Sequence, residues 1–203
     1  MDIVATVAKF LPPEAQEHVN KVTAVLNDPK VRKYLEDKEV ANDIQTISKE
    51  AIKTLQTVGG TSSDKNLSAA FNTAAGFVPL ATSFVLKGKL GMLDAASAVK
   101  KASSIPSMLD AFGKAAERKD PILHKIIDAM QTNQTAVEAA VRIAVKTNGD
   151  LFRLEKDAQG QGYVVDLTTG SGMKFPIENK IYDDAVSRLA AAKKNNGPKG
   201  PGA

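Results

Sequence analysis

The chain has 203 residues, 43% of them hydrophobic and 25% charged, with no cysteine and a net charge of +4. This is enough for one ordinary domain with a real core, and it excludes disulfides and thiolate chemistry. Four of the 27 basic residues (Arg188, Lys193, Lys194 and Lys199) follow Asp184, the last acid, so the preceding stretch balances 23 bases against 23 acids. The basic character belongs to the tail, and a body shaped to hold a phosphate backbone would carry its own excess.

The N-terminal MDIVATVAKF has no basic leader and no small-residue cleavage site, so cytoplasmic synthesis without Sec export is expected. Ile3, Val4, Val7 and Phe10 suit a short helical face before Pro12 and Pro13. A helix over roughly 13–27 carries Val19, Val22, Val25 and Leu26. Asp28-Pro29 then reads as an N-cap with proline at the first helical position. From Pro29 toward Val58 the amphipathic signal is the strongest in the chain, with Val40, Ile44, Ile47, Ala51, Ile52, Leu55 and Val58 in steps of three and four. The charge-dense VRKYLEDKE part is either a separate short helix or a solvated first half. Gly59-Gly60 stops the run, and Thr61 to Asp64 is a loop able to cap the next helix.

Residues 66–86, NLSAAFNTAAGFVPLATSFVL, contain no charge, and lysines flank them at 65, 87 and 89. The length suffices to cross a bilayer, but Asn72, Pro79 and several Ser and Thr residues dilute the apolar content. The reading preferred is the buried centre of a helical bundle, with Pro79 kinking or restarting the helix. Membrane activity through 66–104 is a third alternative, and a membrane partner is not favoured.

A turn at 87–91 precedes a weaker helix with Met92, Leu93, Ala96 and Val99. Further helices are expected over 106–118, 121–131 (opened by Asp120-Pro121) and 135–147, where Thr135 and Glu138 have capping-box spacing. From Asp150 the period changes to two. LFRLEK and YVVDLTT flank a glycine-containing loop, and Pro176 places a third strand, MKFPI, at an edge. A closing helix carries Ile181, Tyr182, Ala185, Val186 and Leu189, and KKNNGPKGPGA cannot fold alone.

The fold expected is mainly α: a bundle of about seven or eight helices with a small antiparallel hairpin or three-stranded element near the C-terminus. Residues 1–148 form the helical body, 149–192 the hairpin and closing helix packed on it, and 193–203 a flexible basic tail.

No catalytic, cofactor or metal motif is present. His18 and His124 are isolated, HExxH and GxSxG are absent, and Asp183-Asp184 suits a helix N-terminus better than a cation. These residues point to a non-enzymatic structural or interaction subunit of a homo-oligomer or larger assembly, of virion type. Its partners are protein subunits, contacted through the tail residues Arg188, Lys193, Lys194 and Lys199. The alternative is a nucleic-acid-binding module. Helix, helix, helix and hairpin over 106–169 have winged-helix order, which would offer Asn133, Gln134, Thr135, Arg142 and Lys146 to the major groove and the Gln159–Gln161 tip to the backbone, with the basic tail as a second contact. That segment holds eight basic and nine acidic residues, a poor electrostatic match to DNA.

Overall fold

A computed structural model describes residues 11–88, 92–168 and 172–195, without the side chains of Glu14, Ala15, His18, Met92, Leu93, Ala95 and 193–195. The short helix expected at 3–10, the Gly170-Ser171 turn and Lys199 lie outside the described residues, as do the side chains of His18, Lys193 and Lys194.

Among the described residues the fold is mainly α, with nine α-helices and one three-stranded antiparallel sheet near the C-terminus. The helices before the sheet are α1 (Pro13–Leu26), α2 (Pro29–Leu35), α3 (Lys38–Thr57), α4 (Lys65–Lys87), α5 (Met92–Ala102), α6 (Ile105–Glu117), α7 (Pro121–Gln131) and α8 (Gln134–Lys146). The sheet comprises β1 (Phe152–Lys156), β2 (Gly162–Asp166) and β3 (Lys174–Ile177), and α9 (Asn179–Asn195) comes after it.

Aspartates start several helices for a common reason. The first turn has amide donors without intrahelical acceptors, and a short carboxylate supplies one. Asp28, Asp37, Asp64 and Asp120 accept in this way from amides of α2, α3, α4 and α7. The Asp37 cap resolves the charge-dense stretch into a separate helix, because the chain leaves helical geometry there and restarts at Lys38. The start of α8 differs from the capping-box reading. Asn133 is the cap, accepting from the Ala136 amide at 3.0 Å, and Thr135 lies inside the first turn. Glu138 instead accepts from the Gln134 side chain at 3.0 Å.

Two hydrophobic clusters organise the molecule. The larger joins Leu26, Val31, Leu35 and Val40 to the buried face of α8, to Leu151, Phe152, Val164 and Ile177 around the sheet, and to Ala185. The smaller gathers Leu67, Phe71, Ala115, Ile122 and Ile126, with Phe71 and Phe112 ring centroids 5.0 Å apart. Close approach at this second cluster depends on Gly59, where a Cβ would fall 2.5 Å from the Cβ of Phe71. Helix α3 reaches both clusters, with Val40 in the first and Leu55, followed by the C-cap residue Val58, against the second.

The uncharged helix α4 lies beside α3, α5 and α6 and continues through Pro79 without restarting. Phe71 is 3% exposed, whereas Phe77, Phe84 and Leu86 are only half-buried. The inner stripe of α4 thus belongs to the core, while the whole circumference does not. Its last carbonyls meet a cation. The Arg32 guanidinium donates to the carbonyls of Val85 and Leu86 and also to that of Leu26 at the end of α1. Gly88 caps α4 in the left-handed conformation (φ 69°), and a Cβ there would lie 2.8 Å from Nη1 of Arg32.

The sheet has order β1-β2-β3, with Phe152 opposite Asp166 and Gly162 opposite Ile177. β3, containing Pro176, is at an edge, where a missing amide donor is tolerated. Helix α9 continues to Asn195, so the backbone at Lys193 and Lys194, placed in the tail by sequence, is helical.

Candidate functional site: a groove between α3, α8 and α9

Helix α8 bears three charges, Glu138, Arg142 and Lys146, spaced four residues apart and therefore aligned on one face. Its other positions are mostly small or β-branched, and Val137, Ala139, Ala140, Val141, Ile143 and Ala144 are buried. These residues let α3, α9 and the sheet pack around it. The charged face opens into a cleft of about 700 Å³ between α3, α8 and α9.

The floor of the cleft is apolar: Val141 and Val145 from α8, Ile181 and Ala185 from α9. The rim is ionic. Nε and Nη2 of Arg142 donate to the Asp43 carboxylate at 2.7–3.2 Å, a forked arrangement that the planar guanidinium favours. One turn further on, Lys146 pairs with Glu39 of α3, and on α9 Arg188 pairs with Asp184 at 3.0 Å. At the opposite end of α8, Asn133 donates to Glu50 at 2.8 Å. Residues 39, 43 and 50 of α3 thus meet Lys146 and Arg142 of α8 and its N-cap Asn133, a ladder that fixes the antiparallel register of the two helices.

Asp43 is 9% exposed and the charged end of Arg142 reaches outward from it, so the pair faces protein on one side and solvent on the other. The hydrogen bond from Arg142 to Asp43 raises the guanidinium's hold on its proton, and Glu39 does the same for Lys146. Elsewhere, carboxylates whose proton affinity is displaced lie below the ordinary range: Asp37 through the Val40 and Glu39 amides, Asp64 through the Leu67 amide and Arg118, and Asp157 through the Gln161 amide. Among the described residues, no group of three or more His, Asp or Glu side chains could hold a metal ion.

Of the residues singled out by sequence, the groove unites Arg142, Lys146 and Arg188. Asn133 and Gln134 sit at the far end of α8, engaged with Glu50 and Glu138, and Thr135 is exposed beside them. The succession α6, α7, α8, β1, β2 has the winged-helix order. Helix α3, however, lies along the edge of α8 that carries Arg142 and Lys146, and supplies both with carboxylates. The Gln159–Gln161 tip is organised by Asp157, which accepts from the amides of Gln159 and Gln161.

Glu39 and Asp43 were not picked out by sequence. Their spacing of four on α3 matches that of Arg142 and Lys146 on α8, and this complementarity is the available signal. Compared with protein-family models, curated proteins and solved structures, the chain has no match.

Proposed function

We propose that this protein is a non-enzymatic structural or interaction subunit of a larger assembly, with a virion-type particle as the kind of assembly expected. It packs through its Ala-rich helices and its basic C-terminal arm, and the groove between α3, α8 and α9 receives a neighbouring protein segment. The observation that carries this reading is the groove itself, an apolar floor rimmed by charges that are already paired within the chain. Such a surface offers burial to a partner while its ion pairs set register and exclude wrong partners.

The test is the native mass of the full chain by light scattering, measured with the absorbance ratio of the purified particle. A multimer free of nucleic acid, reduced to lower mass by Val145→Glu in the groove floor, is the expected result. A monomer over the whole accessible concentration range would overturn self-assembly. A co-purifying nucleic acid released steeply by salt, and lost with Arg142→Ala or with deletion of residues 193–203, would favour the nucleic-acid reading instead.

A further inference from the structure

The sheet has two edges, and they differ. β3 contains Pro176, which lacks an amide donor, whereas β1 has no proline and keeps unbroken register with β2 from Phe152 opposite Asp166 to Lys156 opposite Gly162. Flanking bonds fix which backbone groups of β1 point outward. The Leu167 amide donates to the Leu151 carbonyl and the Asp157 amide to the Gln161 carbonyl, both at 3.0 Å, so the odd-numbered residues bond to β2. The amides and carbonyls of Phe152, Leu154 and Lys156 therefore face away from the sheet. Among the described residues no hydrogen bond reaches these backbone groups.

Charge decides which strand such an edge accepts. On its solvent side β1 presents Arg153, with a side chain 56% exposed, and Glu155, 26% exposed. In an antiparallel pair of two β1 strands centred on Leu154, that residue lies opposite its own copy and Phe152 lies opposite Lys156. Every outward group then meets a partner, about six hydrogen bonds in all. The same register sets Arg153 opposite Glu155 twice, once on each side of the twofold axis. A slip of one residue would turn groups already bonded to β2 toward the seam. A slip of two in either direction would set Arg153 against Arg153 or Glu155 against Glu155.

From this self-complementarity we infer that β1 is a seam between two copies of the chain, joined edge to edge about a twofold axis at Leu154 into one continuous sheet of six strands. The charges that repel a misplaced strand match this one. Glu155 accepts from Arg153 of its own strand at 2.9 Å and from Lys174 of β3 at 3.0 Å. The five donors of the guanidinium let Arg153 hold that carboxylate and reach the second copy's Glu155 as well. The seam uses none of the residues that line the groove between α3, α8 and α9, and shares with the proposed function only the premise that copies associate.

The test reads mass and amide exchange on the full chain. Arg153→Glu and Glu155→Arg each place like charges opposite one another across the seam. Each alone is expected to raise the dissociation constant, measured by light scattering, at least tenfold. Mixed in equal amounts, the two variants present opposite charges to each other, and the mixture is expected to regain the native mass. An ion pair within one chain cannot produce that rescue. In the native chain the Leu154 and Lys156 amides should exchange at least tenfold more slowly above the dissociation constant than below it. A monomer at every concentration would overturn the inference together with self-assembly as a whole. A multimer indifferent to both variants, or variants that fail to recover on mixing, would overturn the seam alone and leave the groove reading standing. Protection of Leu154 that is independent of concentration would overturn it too, and would assign the edge to a segment of the same chain.

Discussion

Helices α8 and α4 invert a common expectation. α8 has 13 residues, three of them charged, and buries six; α4 has 23 residues, charges only at its ends, and buries five. In α8 the charges share one face, leaving the remaining surface free to be enclosed by α3, α9 and the sheet. In α4 the lack of charge extends past the buried stripe to half-buried positions such as Phe77 and Leu86, and to exposed Ala69, Asn72, Pro79 and Ala81. Burial is therefore governed by how charges are distributed around a helix, more than by how many there are.

The largest test of this contrast is core truncation. Ile143 is fully buried, so Ile143→Ala should cost about 3 kcal/mol in urea unfolding, while Val78→Ala on half-buried α4 should cost under about 1 kcal/mol. Equal losses would mean that α4 is covered in solution, and the contrast would fail. Next, Gly88→Ala should lose about 1–2 kcal/mol, since the left-handed cap and the guanidinium of Arg32 both oppose a side chain there. Asn133→Ala should lose about 1 kcal/mol by uncapping α8, with Thr135→Ala near neutral; the reverse ranking would restore the capping-box assignment.

A smaller effect is expected from a double-mutant cycle on Asp43 and Arg142. The coupling should be about 0.5–1 kcal/mol, held down by the 51% exposure of the Arg142 side chain. Last comes acid. Asp37, Asp64 and Asp157 bind protons less readily than the ordinary carboxylate at 3.8, so their contribution is complete above that value and disappears as pH falls through their lower folded values. Melting temperature measured down through that window should fall, and Asp64→Asn should fall less steeply. An identical slope would show that the cap is inert.

Much of the fold was legible because its signals are local. Asp28-Pro29 and Asp120-Pro121 marked helix starts, Asn148-Gly149 marked a stop, and the change to alternation after Asp150 located the hairpin. Pro176 identified the edge strand. Local signals failed where two caps competed, as at Asn133 and Thr135: both have suitable side chains, and backbone geometry selected the earlier one. The site was less legible for a different reason. Arg142 and Lys146 could be noticed as cations, but their partners Asp43 and Glu39 lie about a hundred residues away, and only tertiary packing brings α3 beside α8.

Arg32 turns a static contact into a mechanical coupling. One fork holds the carbonyl ends of two helices, α1 and α4, that are far apart in sequence, so loosening either end removes support from the other. Lysine carries three donors on one atom and lacks the wide planar fork that reaches both ends together. Slow amide protons near Leu26 and near Phe84 should therefore begin to exchange together in Arg32→Lys, as two doors hung on one hinge pin.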